Sequence, residues 1–326
     1  MDTSPQARYD RVRRAVNLQR PECLPCSDWT WMEYRPELYH LGSMEVVPDE
    51  IGQVVVSADG KRRFTRDGGV WAVGDRERFR TYEDVLSVAP DGFEVEAVGP
   101  EMLTKMDRLL VDARTRGYPM ALHYATLLTR ATLEFGWEPF LVAAALEPER
   151  FGALLERFAL ASLSVISGWC CVEGVEMIAI HDDIAATRGP ILSPDWCRRW
   201  LFPWYGRFFE AIHAAGRRVM YQSDGNYLPV LDDLLALKPD GLFVESSSLD
   251  PAEVMRRGGP GLLYLVKTDS RAIDVGTPEQ IRRELEKLRS LHQHYPGMLM
   301  YRGGGNPSPE NARAFSELYQ ELLVYS

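Results

Sequence analysis

The feature that most constrains the fold is a regular alternation of short apolar runs and helical segments from about residue 100 to the end of the 326-residue chain. Each apolar run has the length of a strand, and the segments between them have the spacing of amphipathic helices. Six strands are predicted in this part, at residues 119–124, 177–180, 218–224, 241–245, 262–267 and 298–302. Strands that alternate with helices along a chain are typical of parallel sheets in α/β proteins.

One or two further strands from the first hundred residues would complete a (β/α)8 barrel, so we predict an α/β fold of the TIM-barrel type. The rival is a doubly wound sheet, but no G-x-G-x-x-G follows a predicted strand and no Walker loop is present. Residues 1–326 are predicted to form a single domain. Residues 1–100 form an N-terminal cover with a helix at 5–20 and a small β-meander at 51–73, and residues 101–326 carry the regular β/α repeats.

The composition argues against two classes of partner. A formal net charge of -10 and a pI near 5.2 do not fit a nucleic-acid-binding protein, which would carry a basic surface. No apolar run has the length of a membrane span, and the N-terminus lacks the apolar core of a signal peptide. We therefore expect a cytoplasmic protein with reduced thiols, because five cysteines are an odd number in a long chain.

Residues 175–194 carry the densest chemistry in the chain. The apolar run at 177–180 is typical of a strand buried on both faces, and it is followed at once by His-Asp-Asp at 181–183. Arg188 comes next, and a Ser-Pro helix start predicts a helix over 193–215. Charged residues at the end of a buried parallel strand are costly unless they serve a site, and ligands bind α/β folds at that end.

Polar residues follow nearly every predicted strand, which predicts a polar pocket at one edge of the sheet. The candidates for acid and base catalysis are Asp182, Asp183, Asp224 and Glu245. The candidates for substrate binding are His123, His181, Arg188, Ser223, Lys267, Asp269 and Arg302. We expect the carboxylates and the basic side chains to tune each other's pKa values. No H-x-C, H-E-x-x-H or Cys-His pairing stands at a strand end, so no metal site is predicted.

Four motifs together resemble the uroporphyrinogen decarboxylase (URO-D) superfamily. They are His-Asp-Asp-Ile-Ala-Ala-Thr-Arg-Gly-Pro-Ile-Leu-Ser-Pro at 181–194, Tyr-Gln-Ser-Asp-Gly-Asn at 221–226, Gly-Thr-Pro-Glu-Gln at 276–280 and Gly-Gly-Asn-Pro-Ser-Pro-Glu-Asn at 304–311. The resemblance covers almost the whole chain and implies a TIM-type barrel. It adds Tyr221 and Asn226 to the candidates for substrate binding.

One branch of this superfamily consists of decarboxylases that act on uroporphyrinogen III without a cofactor. The resemblance implies that they hold the substrate carboxylates with an N-terminal motif of two arginines and with a C-terminal histidine. In this sequence the N-terminal region keeps only Arg35, and the C-terminal segment reads Arg-Gly-Gly-Gly-Asn at 302–306. These departures argue against decarboxylation of uroporphyrinogen itself.

The other branch consists of methyltransferases that move methyl groups between corrinoid carriers and thiols or related acceptors, many with zinc on a His-x-Cys motif. The position that resembles this motif reads Tyr-Gln-Ser at 221–223, so neither zinc nor another built-in cofactor is predicted. The Asp-Asp…Thr-Arg-Gly-Pro and Ser-Asp-Gly-Asn versions look most like the demethylase-associated members. The resemblance therefore favours methyl transfer with a corrinoid supplied by a partner protein, or another small-molecule reaction. The resemblance to the decarboxylases favours a homodimer.

Three functions remain open at this point. The first is a methyltransferase for a small molecule, in which the carboxyl candidates orient or protonate the substrate and the basic candidates neutralise its anionic groups. The second is a lyase that decarboxylates a tetrapyrrole or another carboxylic acid, with Asp182 or Asp183 as proton donor. Arg35 and Arg188 would then clamp the substrate carboxylates. The third is a binding protein that has lost catalysis, against which the density of charge at the strand ends argues.

Overall fold

The computed structural model describes residues 2, 4–27, 44–48, 54–56, 62–64, 78–90, 98–115, 117–303 and 307–325. Its central element is a curled sheet of eight strands that all pair in parallel. These strands are β1 (Cys26–Ser27), β2 (Met44–Pro48), β5 (Tyr118–His123), β6 (Met177–His181), β9 (Arg218–Gln222), β10 (Gly241–Glu245), β11 (Leu263–Lys267) and β12 (Met298–Tyr301). Two antiparallel ribbons accompany it: β3 (Val54–Val56) with β4 (Arg62–Phe64), and β7 (Ala185–Ala186) with β8 (Gly189–Pro190).

The order of the strands across the sheet is β1-β12-β11-β10-β9-β6-β5-β2. The two end strands β1 and β2 approach each other, which shows that the sheet is curled. Among the described residues no hydrogen-bonded pair joins β1 to β2. The observed architecture is therefore an α/β fold with a curled parallel sheet, and the described residues do not show closure into a complete barrel.

All six strands predicted after residue 100 are present, each within one or two residues of its predicted bounds. The two remaining strands come from the first hundred residues, as the barrel hypothesis requires, although the sequence pattern predicted the position of neither. The predicted meander at 51–73 is confirmed in its first hairpin, because β3 and β4 pair antiparallel. Its third strand at 70–73 lies outside the described residues.

The interior of the curl is filled by side chains from alternate positions of the strands, because successive strand residues point to opposite faces. This interior cluster includes Met120 of β5, Ala179 of β6 and Met220 of β9. Helix α1 (Pro5–Val16) packs against the same cluster. The guanidinium of Arg218, the first residue of β9, donates to the carbonyl of Val16 at the end of α1. Helix α1 thus covers the amino ends of the strands, and the carboxyl ends are left for a site.

The remaining helices pack on the outer face of the sheet, where a second and larger core cluster lies. Their bounds are α2 (Tyr82–Leu86), α3 (Pro100–Arg114), α4 (Leu128–Phe135), α5 (Trp137–Leu146), α6 (Pro148–Cys171), α7 (Pro194–Trp200), α8 (Phe202–Ala214), α9 (Leu231–Ala236), α10 (Pro251–Gly258), α11 (Ser270–Asp274), α12 (Pro278–His294) and α13 (Pro309–Leu323). A 3-10 turn, Leu228–Val230, precedes α9. Helix α6 alone among the described helices has the length and composition of a membrane span, but half of it is buried inside the protein, which is typical of a core helix.

The helix predicted over 193–215 is wrong in one respect, because the structure divides it into α7 and α8 at Leu201. The cause is Pro203, which has no N–H to bond back to the preceding turn and whose ring disfavours helical geometry before it. Ser193 is the N-cap of α7, as predicted, and its hydroxyl accepts a hydrogen bond from the backbone N–H of Trp196.

Candidate functional site

Five side chains belong to the last inward-pointing residue of neighbouring strands, at the carboxyl edge of the sheet. Each follows a residue of the interior cluster by two positions, and therefore points the same way. The strand register pairs His181 with Gln222, and it pairs Lys267 with both Glu245 and Tyr301. Paired residues on neighbouring parallel strands share one face, so these five side chains converge on the mouth of the curled sheet.

Lys267 lies between two carboxyl groups that come from neighbouring strands. Its Nζ is 2.7 Å from Oε1 of Glu245 and 3.6 Å from Oδ1 of Asp224. The other oxygen of Glu245 accepts hydrogen bonds from the backbone N–H of Gly225 at 3.0 Å and from the hydroxyl of Ser248 at 2.7 Å. Glu245 is therefore fixed in place, whereas 49% of the Asp224 side chain remains exposed.

The electrostatics divide these carboxyl groups into two kinds. Burial raises the pKa of Asp224, and the charge of Lys267 lowers it. The negative charges of Asp183 and Glu245 raise this pKa further, so the net shift is upward. Burial alone would also raise the pKa of Glu245, but the hydrogen bonds from Lys267, Gly225 and Ser248 outweigh it and lower that pKa. Burial opposes the charge of Lys267, yet the two carboxylates raise its pKa. Asp224 thus holds a proton more readily than an ordinary aspartate, and Glu245 stays ionised.

Asp183 and His181 form a second polar pair at the same edge. Oδ1 of Asp183 lies 3.4 Å from Nε2 of His181 and accepts a hydrogen bond from the backbone N–H of Asp224 at 2.9 Å. The backbone N–H of Asp183 donates to the hydroxyl of Thr129 at 2.8 Å. The His181 ring stacks on Tyr124 with centroids 4.1 Å apart. The loops after β6 and β9 are therefore tied to each other at the site.

A cleft of about 590 Å³ opens beside the two aspartates, which is the size of a small-molecule site. Asp183 and Asp224 contribute carboxylates to its lining, and Arg188, on the exposed turn between β7 and β8, contributes a guanidinium. The other residues of the lining are apolar or aromatic: Trp137, Ala185, Ala186, Gly189, Pro190 and Ile191. The large indole of Trp137 is 47% exposed, which leaves a free aromatic surface at this cleft.

Asp182 lies behind the site rather than in the cleft. It is fully buried, and its carboxylate accepts hydrogen bonds from the backbone N–H groups of Leu128 at 3.0 Å and Thr129 at 2.7 Å, the first residues of α4. The hydroxyl of Tyr205 donates to it at 2.6 Å. The two adjacent aspartates point to opposite sides because side-chain direction alternates along a strand. Asp183 faces the cleft, and Asp182 anchors the start of α4.

Three further predicted residues lie outside the cleft. His123 is buried and is paired in register with Ile180, a residue of the outer core cluster. Tyr221 is also buried, and its hydroxyl donates to the carbonyl of Asp182 at 3.4 Å. The hydroxyl of Ser223 donates to the carbonyl of Asp224 and accepts from the backbone N–H of Ile184, so it holds two loops together.

The last four predicted residues are not brought to the cleft among the described contacts. Asn226 accepts a hydrogen bond from the backbone N–H of Leu228 inside its own turn, and Asp269 caps α11. Arg302 is buried directly after β12, and Arg35 lies outside the described residues. The structure therefore gathers a subset of the predicted residues at the mouth of the sheet: His181, Asp183, Arg188, Asp224, Glu245 and Lys267.

Metal coordination does not fit the part of the chain that the structure describes. No group of three or more His, Cys, Asp or Glu side chains there is arranged to hold an ion. Zinc normally takes three or four such ligands in a tetrahedral arrangement.

Four residues near the site were missed by sequence reasoning: Tyr124, Trp137, Gln222 and Tyr301. Gln222 and Tyr301 are the last inward-pointing residues of β9 and β12, and Tyr124 stacks on His181. The sequence did carry a signal for Gln222 and Tyr301, because alternate residues of each apolar run point to the interior, and counting along the run by twos identifies these two positions. Trp137 carries no such signal, since it lies on helix α5 and not on a strand.

A curled parallel sheet, with helices outside and titratable groups at the carboxyl ends of its strands, defines an α/β protein with an enzyme-like site. The chain belongs to the uroporphyrinogen decarboxylase (URO-D) family, whose profile matches residues 125–321. The resemblance predicted from the four motifs is thereby confirmed, and the matched region includes every residue that the structure gathers at the cleft.

Solved structures with a similar fold include a methyltransferase from Methanosarcina mazei. It is 14% identical, the alignment covers 97% of this chain and 98% of that chain, and the TM-score is 0.60. A B12-independent methionine synthase from Shewanella sp. W3-18-1 is 14% identical over 69% of this chain and 65% of that chain, with a TM-score of 0.45. Identities this low show the fold alone. The comparison with curated protein sequences gave no match.

Proposed function

We propose that this protein is an enzyme that transfers a methyl group from a neutral or cationic small molecule to a corrinoid carried by a partner protein. The observation that carries the proposal is Asp224, a carboxyl group with a raised pKa that lines an open cleft beside the fixed Lys267–Glu245 pair. The fold shared with the Methanosarcina mazei methyltransferase supports it at the level of architecture. The proposal includes a closed barrel, supported by the approach of β1 to β2, and a cytoplasmic location, supported by five unbridged cysteines.

The charge balance at the mouth of the sheet argues for this substrate class. Asp183, Asp224 and Glu245 supply three carboxyl groups, and Lys267 is already engaged by two of them. Among the described residues that line the cleft, Arg188 is the one positively charged side chain. A polycarboxylate such as a uroporphyrinogen would meet repulsion here, because like charges disfavour each other's ionised forms. A neutral or positively charged methyl donor meets none.

Asp224 acts in this proposal as the general acid. Methyl transfer breaks the bond between the methyl carbon and a heteroatom of the donor, and the bonding electron pair stays on that heteroatom. From a neutral methyl ether, the proton of Asp224 moves to the ether oxygen as the bond breaks, so the donor leaves as a neutral alcohol and Asp224 is left ionised. A quaternary ammonium donor leaves directly as a neutral tertiary amine and takes no proton from Asp224. A carboxyl group with a raised pKa suits this role, since general acids work best when they hold their proton near the working pH.

The neighbouring residues position this acid. The backbone N–H of Asp224 is held by Asp183, and the next backbone N–H, that of Gly225, is held by Glu245. Lys267 keeps Glu245 ionised and moderates the pKa of Asp224. Once Asp224 has lost its proton, Lys267 at 3.6 Å stabilises the carboxylate that forms.

The corrinoid of the partner would face the apolar part of the cleft. The exposed indole of Trp137 and the side chains of Pro190 and Ile191 offer a surface that fits an extended, largely apolar ring. When bound, that group supplies the nucleophile that accepts the methyl group. What this chain contributes is binding of the donor, exclusion of competing anions and delivery of the proton at Asp224.

The test is anaerobic methyl transfer to chemically reduced cobalamin, followed by the absorbance change of the corrinoid. Guaiacol serves as a neutral donor, choline as a cationic donor and 4-methoxybenzoate as an anionic donor. We expect transfer from guaiacol or choline and none from 4-methoxybenzoate. With guaiacol as the donor, the variant Asp224→Asn should lose roughly 10²-fold or more in rate, the usual contribution of a general acid.

The matched control is Asp107→Asn, which changes an exposed aspartate on α3. It should transfer methyl groups at the unsubstituted rate. Transfer from the anionic donor alone would contradict the charge argument. Release of carbon dioxide from uroporphyrinogen III without any acceptor would instead support the decarboxylase alternative.

A further inference from the structure

Two polar side chains at the mouth of the sheet are buried without a hydrogen-bond partner for one of their atoms. Nδ1 of His181 and Nε2 of Gln222 have no partner within the described structure. His181 is 7% exposed and Gln222 is 1% exposed. The two residues are paired in register on β6 and β9, so both side chains lie on the interior face of the sheet.

An unpartnered polar atom in a protein interior is costly, and native structures keep few of them. Two such atoms on paired residues of adjacent strands point to a missing common partner. They also lie beside groups already assigned to the site, because Nε2 of His181 is 3.4 Å from Oδ1 of Asp183. Stacking on Tyr124 holds the imidazole ring in its plane.

The chemistry of the two atoms defines what the partner must offer. The carboxylate of Asp183 faces Nε2 of His181, which favours the tautomer with the proton on Nε2. Nδ1 is then an acceptor, while the amide Nε2 of Gln222 is a donor. A hydroxyl group satisfies both at once, since its O–H donates to His181 and its oxygen accepts from Gln222.

We propose that His181 and Gln222 form a subsite for a hydroxyl group of the methyl donor. The inference rests on the proposed function for the identity of the donor, and it names its class: a small hydroxylated methylammonium compound. The positively charged end lies against Asp183 and Asp224, and the hydroxyl reaches the subsite across a short spacer. Nδ1 and Nε2 lie on the same imidazole ring, and Nε2 is 3.4 Å from Oδ1 of Asp183, so a donor of a few carbon atoms spans the distance from the subsite to the aspartate.

The test compares equilibrium binding of choline with that of propyltrimethylammonium, which carries a methyl group in place of the hydroxyl. Isothermal titration of the full chain without any corrinoid measures both affinities, so the result does not depend on methyl transfer. We expect choline to bind at least 10-fold more tightly than its analogue. In Gln222→Met, which keeps the side-chain volume and removes the amide, the preference should fall to near twofold or less.

Two further measurements separate recognition from a structural role. The control Gln320→Met changes an exposed glutamine on α13 and should keep the preference for choline. The melting temperature of Gln222→Met should be unchanged or raised, because the substitution removes a buried amide that has no partner. Equal affinity for the two probes in the unsubstituted protein, binding of neither, or a lowered melting temperature of Gln222→Met would overturn the assignment.

Discussion

Asp182 provides the sharpest test of how the site is built, because the sequence alone placed it among the catalytic candidates. In the structure its buried carboxylate accepts three hydrogen bonds, from the backbone N–H groups of Leu128 and Thr129 and from the hydroxyl of Tyr205. It therefore joins the end of β6 to the start of α4 and to α8. We predict that Asp182→Ala reduces stability first, and affects activity only through that loss.

The magnitude follows from the three donors that the substitution leaves without an acceptor. A buried donor without a partner costs about 1–3 kcal/mol, so three donors set an upper bound near 9 kcal/mol. Burial raises the pKa of Asp182 against the opposing hydrogen bonds, which shows that its charge is itself costly, and alanine relieves that cost. We therefore expect a decrease of about 3 kcal/mol in the free energy of unfolding, and about 1–2 kcal/mol for Tyr205→Phe, which removes one donor.

The assay is urea unfolding followed by circular dichroism, with Asp107→Ala as the control. That exposed aspartate lies on α3, and its replacement should change the free energy of unfolding by less than about 0.5 kcal/mol. The reasoning is refuted if Asp182→Ala is as stable as the control while activity disappears, since Asp182 would then act directly on the substrate.

Three more predictions concern residues around the site and the core. Gly225 has a φ of +80°, and a Cβ there would clash with the carbonyl of Ala185, so Gly225→Ala should cost about 2–4 kcal/mol in urea unfolding. Gly216→Ala, at a φ of +69° with open space around it, should cost only about 1–2 kcal/mol. Lys267→Met removes the charge that lowers the pKa of Asp224, so the decline of activity with rising pH should move to higher pH in a rate profile. Burial lowers the pKa of His292 to about 4 from 6.5, so the unfolded chain takes up the proton first. Stability should therefore fall by up to about 3 kcal/mol as pH decreases through this window, and His292→Asn should abolish that part of the loss.

The strands after residue 100 were predictable because they are short apolar runs between helices, and burial on both faces requires that composition. The two N-terminal strands were not, because Cys26–Ser27 has only two residues and Met44–Pro48 includes a glutamate and a proline. Strand β1 forms because it pairs with β12, and β2 forms because it pairs with β5. These contacts are distant in sequence, so local propensity does not reveal them.

The sequence was sufficient to predict at which edge of the sheet the candidate site lies and which residue types form it, but not which individual residues belong to it. A shift of one residue along a strand moves a side chain to the other face, so Asp182 and Asp183 have opposite surroundings although they are adjacent. The same alternation places His123 on the outer face of the curled sheet and Gln222 on its inner face. The break between α7 and α8 was readable from Pro203, and the prediction of one continuous helix ignored that signal.

The central claim is that Asp224 delivers a proton during methyl transfer. The most direct measurement is the rate of methyl transfer from guaiacol to reduced cobalamin as a function of pH, for the unsubstituted protein and for Asp224→Asn. Because burial raises the pKa of Asp224, the unsubstituted rate should fall with rising pH above the usual range of an aspartate, and the variant should be slow and lack that decline. A variant that keeps the same rate and the same pH profile would contradict the claim.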